Sequence, residues 1–242
     1  MVSKYLIIIP TYNESESIVD LLQRIAKFRA DRDPGSISIL VVDDNSPDLT
    51  ADLVESLHMV NVDILRRPGK GGLGPAYLAG FSWGLAREFD FFLEMDADGS
   101  HLPEDLSKML QASLEADLVI GSRWVPGGEV VNWPKSRKFI SKMGTWYAGT
   151  ALKLPYKDLT SGFRVFSRTS LESLPFSQIQ TRGYGFQVEM AMRVHDLGLR
   201  ITEVPITFVE RAAGRSKMTK EIVFEAWKMV TIWGIQRLFK RH

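Results

Sequence analysis

Short apolar runs recur along the first half of the chain at helix-length intervals, and this alternation constrains the fold more than any other feature. The runs are YLIII (5–9), ISILVV (37–42), VDIL (62–65), FFLEM (91–95) and DLVIG (117–121). They are strand-length and rich in β-branched and aromatic residues. Helical patterns separate them at about 14–30, 48–57, 74–88 and 103–115. In the first of these, Ile18, Leu21, Leu22 and Ile25 share one face. Strands that are apolar throughout must be buried on both faces. The expected fold class is therefore α/β, with a mainly parallel central sheet flanked by helices. Such a sheet binds ligands at the carboxyl ends of its strands.

Polar residues cluster at those ends. P-T-Y-N-E (10–14) follows the first run, D-D-N-S-P-D (43–48) the second, D-A-D (96–98) the fourth and G-S-R (121–123) the fifth. Residues i and i+2 of a strand share a face, so Asp96 and Asp98 are expected to converge. Two close carboxylates repel unless a cation or a shared proton lies between them. Asp and Gly also favour turns, which accounts for D-x-D-G in isolation. It accounts poorly for acidic side chains at three of the ends, where a cleft holding a cation and a polar ligand is expected. His101, beside this motif, is expected to pack the loop and not to ligate a metal.

The remainder is less regular. Residues 125–138 read as a loop, 137–152 as a helix, 160–167 as turn then strand, 183–197 as a helix and 204–210 as a strand. RAAGRSK (211–217) is a basic loop. The last helix carries Trp227, Met229, Val230, Trp233, Leu238 and Phe239 with Lys228, Arg237, Lys240 and Arg241. Tryptophan with cations suits a helix lying in lipid headgroups, and the alternative is a C-terminal helix packed on the sheet or on a partner subunit. A single domain is expected, comprising a body over 1–218 and this helix over 219–242. With 242 residues, 45% apolar and 24% charged, the composition is that of a globular protein. The net charge of +1 gives no field that would favour nucleic acid. The absence of cysteine excludes disulfides, thiolate metal sites and a cysteine nucleophile. No stretch reads as a signal peptide or a spanning helix.

Taken together, these segments resemble the dolichol-phosphate mannosyltransferase group of the inverting family 2 glycosyltransferases, of GT-A fold, a group that includes bacterial polyprenol monophosphomannose synthases. The matching text is IPTYNE (9–14), VVDDNSPDLT (41–50), GGLGPA (71–76), EMDADGSH (94–101), GSR (121–123), DLTSGFR (158–164), RGYGFQVEM (182–190) and VPITFVERAAGRSK (204–217). Eight blocks in order over about residues 5 to 217 are a specific signal. The chain departs from the family's usual text at Gly99, often Leu, and at Leu49, usually Gly.

The resemblance implies transfer of mannose from GDP-mannose to a polyprenyl phosphate, with Mg2+ or Mn2+ as cofactor. It assigns base and ribose contacts to Pro10, Tyr12, Glu14, Val41 and Asp43. Asp96, Ala97 and Asp98 match the metal and diphosphate site, with Ser100 assisting the metal. Arg123 and Lys217 match cationic contacts to the sugar nucleotide, and Arg211 is expected to close over the diphosphate with Lys217. On the acceptor side Arg137 is expected to hold the phosphate and Glu189 to position it, with Gln187 and Asp158 shaping the pocket. The lipid substrate implies peripheral residence at the cytoplasmic face of a membrane, with or without a membrane-anchoring subunit. Two alternatives stand beside this reading: a polyprenyl-phosphate glucosyltransferase using UDP-glucose, and a nucleotide-sugar-binding protein without turnover. A nicotinamide-binding fold is disfavoured because no G-x-G-x-x-G follows the first strand.

Overall fold

A computed structural model of the chain describes residues 2–30, 32, 35–179, 181, 183–210 and 220–239. The first half is the alternation read from the sequence. It runs β1 (Tyr5–Thr11), α1 (Ile18–Ala30), β2 (Ile37–Asp43), α2 (Thr50–Ser56), β3 (Val62–Arg66), α3 (Leu73–Leu85), β4 (Phe91–Glu94), α4 (Leu106–Ser113) and β5 (Leu118–Ser122). The second half runs β6 (Glu129–Val131), α5 (Lys135–Leu152), β7 (Arg164–Ser167), α6 (Arg168–Glu172), α7 (Tyr184–Asp196), β8 (Ile201–Pro205), β9 (Thr207–Val209) and α8 (Lys220–Phe239).

The main sheet has the order β3-β2-β1-β4-β7-β5-β8. β1, β2, β3 and β4 are parallel, as are β5 and β8. β7 is antiparallel to both β4 and β5, and it lies between them. A short parallel pair, β6 with β9, stands beside the sheet. The carboxyl ends of β1, β2, β4 and β5 therefore meet at one edge, where the polar clusters lie.

Side-chain alternation divides the core into two layers. Leu6, Ile8, Leu40, Val42 and Phe92 face α3, α5, α7 and α8. Ile7, Ile9, Ile39, Val41 and Leu93 face α1, α2 and α4. Helix α3 lies close on the first layer because Gly80 and Gly84 face Ile8 and Leu6. A Cβ at either glycine would stand 2.6 Å from those side chains.

Several expectations differ from the structure for local reasons. Helix α1 starts at Ile18, not near Glu14. Asn13 adopts a left-handed φ of 57°, and the amides of Glu14 and Ser15 bond to Thr50 and Asp48 instead of starting a helix. The expected strand over 204–210 is two, β8 and β9, separated at Ile206, whose amide bonds to the Ser122 carbonyl. The expected loop over 125–138 contains β6 and the first turn of α5. Asp96 and Asp98 do not continue β4. That strand ends at Glu94, and the two aspartates sit in the following turn.

Candidate active site

The loops after β1 and β2 are joined to each other at the carboxyl edge of the sheet. Asp43 is buried at the end of β2 and accepts from the Thr11 hydroxyl at 2.8 Å, the Ser46 amide at 2.8 Å and the Ser46 hydroxyl at 2.5 Å. Ser46 Oγ in turn accepts from the Asn13 amide at 3.1 Å. Asp44 pairs with Arg67 and accepts from the Gly71 amide at 2.8 Å. Asp48 receives the Ser15 amide at 3.0 Å and the Thr50 hydroxyl at 2.5 Å. These carboxylates hold loops together, so the acidic recurrence at the strand ends is largely scaffolding. Pro10 is half-buried in β1, one residue before its end, and Glu14 begins the turn before α1. Tyr12 lies under the Lys70 ammonium, 4.5 Å from its ring centre. The Val41 side chain is fully buried in the second core layer, away from the edge.

The turn after β4 brings Asp96, Ala97, Asp98, Ser100 and His101 together. Gly99 makes the turn with φ of 74°, a conformation glycine adopts without strain. The Ser100 amide donates to Asp98 Oδ1 at 3.0 Å. Ser100 Oγ is buried, with no hydrogen-bond partner among the described residues. His101 is buried, stacked on Phe163 at 4.9 Å and edge-on to Phe208 at 5.4 Å. Its Nδ1 accepts the Asp96 amide at 3.0 Å, so a neutral ring carries its hydrogen on Nε2, 3.9 Å from Asp96 Oδ2. Burial depresses the His101 pKa, with the nearby aspartates opposing. His101 thus supports Asp96 from behind.

Across the cleft, Arg123 is held by Asp158. Its Nε and one terminal nitrogen each bond that carboxylate at 2.7 Å, and its amide does so at 2.9 Å. The guanidinium sits among the rings of Trp124, Trp133 and Phe208. Arg137, on the first turn of α5, stacks 4.1 Å over Trp133 and pairs with Glu210 at 2.8 Å. Asp96, Asp98, Arg123, Arg137 and Gln187 line one cleft of about 280 Å³. The cleft then runs between α5, α7 and α8, where Ile140, Tyr147, Val188, Trp227 and Val230 make it apolar.

Glu189 is not part of this lining. It is buried against Thr181 and Arg193, which donate to it at 2.7 Å, tying the chain before α7 to the helix. Arg211 and Lys217 lie outside the described residues. The sequence reading missed Trp133, Phe208 and Glu94. Glu94 had a visible signal, as a charge inside the otherwise apolar run FFLEM. Burial pushes its pKa up to about 8 against the pull of Arg164 and the Gln187 hydrogen bond.

Residues 6–174 match the profile of glycosyl transferase family 2. The chain belongs to that family. It is a glycosyltransferase, and its relatives are close. The undecaprenyl-phosphate mannosyltransferase of Micrococcus luteus is 50% identical over 96% of this chain and 94% of its own length. The polyprenol monophosphomannose synthase of Mycolicibacterium smegmatis is 44% identical, over 96% of this chain and 87% of its own. The dolichol-phosphate mannosyltransferase of Pyrococcus furiosus is 36% identical over 92% of this chain, which spans 61% of that longer protein. Among solved structures, glucosyl-3-phosphoglycerate synthase of Mycobacterium tuberculosis in complex with uridine diphosphate shares the fold. The TM-score is 0.70 at 18% identity, over 96% of this chain and 80% of that one. The same enzyme has been crystallised with Mn2+ and UDP-glucose, and that structure has a TM-score of 0.68 at 20% identity, over 95% of this chain and 78% of that one. This glycosyltransferase has, among the described residues, no helix long and apolar enough to cross a membrane.

Proposed function

We propose that this glycosyltransferase moves mannose from GDP-mannose to a polyprenyl monophosphate with inversion at the anomeric carbon. The observation that carries the reading is the cleft itself. One end presents Asp96, Asp98, Arg123 and Arg137, and the other is an apolar groove between α5, α7 and α8. A polyprenyl phosphate has the same polarity, a dianionic head on a hydrocarbon tail. The names of the close relatives support the same acceptor and sugar.

The chemistry asks little proton transfer of the protein. A phosphomonoester has its second pKa near roughly 6, so the acceptor is already a nucleophile at neutral pH. The residues must hold it in line and offset charge. Asp158 and the surrounding rings fix Arg123, while Trp133 and Glu210 fix Arg137. Both guanidiniums therefore stand pre-oriented for a phosphate. Attack on the face opposite the departing nucleoside diphosphate gives inversion. The donor set on the other side fits a hard divalent cation: two carboxylates and the buried hydroxyl of Ser100, which has no hydrogen-bond partner among the described residues, all oxygen. Asp96, Asp98 and Ser100 would hold Mg2+ or Mn2+, which when bound offsets the negative charge building on the diphosphate. His101 keeps Asp96 in place for that task.

The acceptor's lipid tail requires contact with a membrane surface. Helix α8 is partly committed to packing, with Trp227 stacked on Tyr147 at 4.4 Å and Val230 buried. Helix α5 supplies the rest. Phe139, Ile140 and Trp146 are 66%, 58% and 62% exposed, beside Lys135, Lys138 and Lys142. An apolar stripe flanked by cations suits the headgroup region. The protein would thus work peripherally, on the cytoplasmic leaflet. The deciding experiment incubates the protein with magnesium, a short polyprenyl phosphate and radiolabelled GDP-mannose or UDP-glucose. Label in the organic phase from GDP-mannose is expected. Label from UDP-glucose alone would move the specificity, and label from neither would defeat the reading.

A further inference from the structure

Strand β4 ends on a residue that an apolar core has no obvious use for. Glu94 is fully buried, and its cross-strand neighbour Arg164 is fully buried too. Arg164 spends its guanidinium on backbone carbonyls, those of Ser161 at 2.9 Å, Gln187 at 2.6 Å and Leu159 at 2.9 Å. Glu94 Oε2 accepts the Gln187 side-chain amide at 2.8 Å. Glu94 Oε1 and Gln187 Oε1 have no hydrogen-bond partner among the described residues. A buried carboxyl and a half-satisfied buried amide are costly to keep, and such groups concentrate where a ligand completes them.

Their position says which ligand. Gln187 lines the cleft, and so does Gly162. A Cβ built on Gly162 would stand 3.7 Å from Gln187 Nε2, 3.7 Å from His101 Cε1 and 3.8 Å from Asp96 Oδ1. The Gln187 amide and the Asp96 carboxylate therefore border one small gap, kept open by the absence of a side chain at position 162. Under the transfer reading proposed above, the diphosphate leaves on the Asp96 and Asp98 side, and the attacking phosphate is held by Arg123 and Arg137. The hexose must lie between them. A neutral amide suits a sugar hydroxyl, whereas another ionised carboxylate beside Asp96 would add repulsion.

We infer that Gln187 recognises the transferred hexose by hydrogen bonding one of its hydroxyls, with Glu94 as the positioning residue that fixes the amide. Glu94 touches no substrate. It restricts the Gln187 side chain, and Gly162 leaves room for the ring.

The inference rests on the transfer reading, and its test separates the two. Wild type and Gln187→Leu are compared on GDP-mannose and on its monodeoxy analogues, with binding of GDP alone measured by calorimetry. In the wild type, removal of the recognised hydroxyl is expected to lower kcat/KM about 100-fold. In Gln187→Leu that penalty should vanish for the one analogue and persist for the others, with the affinity for GDP unchanged. A variant that keeps the whole deoxy profile of the wild type overturns the inference while leaving the transfer reading intact. If the wild type transfers nothing, the transfer reading has failed, and the binding preference for GDP-mannose over GDP in the two proteins decides the hexose contact directly. Equal preferences overturn it. Gly162→Ala keeps both Gln187 and Glu94 and fills the gap, so it tests the placement should Gln187→Leu not fold. It should weaken GDP-mannose but not GDP, and an unaltered preference counts against the site.

Discussion

Two regions beside the cleft are made differently. In the loops after β1 and β2, Asp43, Asp44 and Asp48 accept from amides and hydroxyls of neighbouring segments and hold them together. Helix α5 instead presents Phe139, Ile140 and Trp146 to solvent. Under the transfer reading proposed above, the difference matches the two substrates. A nucleotide that diffuses in from water would meet a hydrogen-bonded surface. A lipid held in its bilayer would meet a surface that the bilayer completes.

The largest expected effect is that of Asp98→Ala, in the turn after β4 that lines the cleft. It should lower kcat for transfer about 10³-fold or more while circular dichroism and the unfolding midpoint stay at wild-type values. Active, metal-responsive protein would remove the aspartate pair from the mechanism. Asp43→Ala should do the reverse. It strands the Thr11 and Ser46 donors and should cost about 2–4 kcal/mol in urea unfolding, with activity falling only as the fold is lost. If stability holds while GDP binding disappears, Asp43 serves the ligand and not the loop. On α5, Phe139→Asp with Trp146→Asp should weaken co-sedimentation with anionic liposomes about tenfold and leave thermal stability unchanged. Undiminished binding would assign the membrane contact to α8 or elsewhere.

A subtler effect lies at the end of β4. Glu94 has its folded pKa raised from 4.5 to about 8, so the native state holds a proton that the unfolded chain releases. Its contribution to stability is fully present below pH 4.5 and is lost as the pH rises toward 8. Glu94→Gln should therefore gain stability relative to wild type between pH 5 and 8, and a difference that stays flat with pH would show that Glu94 does not titrate in this way. The smallest effect is expected at Leu49. It holds φ of 61° in an exposed turn, so Leu49→Gly should stabilise by about 1 kcal/mol in the same unfolding assay.

Much of this architecture was legible because the strands of the first half are continuous apolar runs and the polar residues follow them. β7 was legible as a strand but not in its direction. Pairing between Arg164–Ser167 and two strands far earlier in the chain leaves no mark in local periodicity. The aspartates of the D-A-D turn, Arg123 and Arg137 were legible as chemistry and do line one cleft. The reason for convergence was not: the turn at Gly99, and not strand alternation, brings Asp98 to the cleft. Glu189 shows the limit on a helix. Its motif points to the acceptor, yet Arg193, four residues on, binds its carboxylate. Which face of α7 meets the cleft depends on packing against α3 and α8, which sequence spacing alone does not specify.

The antiparallel strand has a consequence for how the enzyme comes into being. On the ribosome, β1 through β4 emerge with their neighbours in hand, but β5 must wait for Arg164–Ser167 before it joins the sheet. Asp96 follows β4 and Arg123 follows β5, so β7 is the spacer that sets one against the other. A nascent chain that has translated both groups still has no cleft. Catalytic competence arrives later still, once that four-residue strand is in place and α7, β9 and α8 have brought Gln187, Phe208 and Trp227 to the cleft.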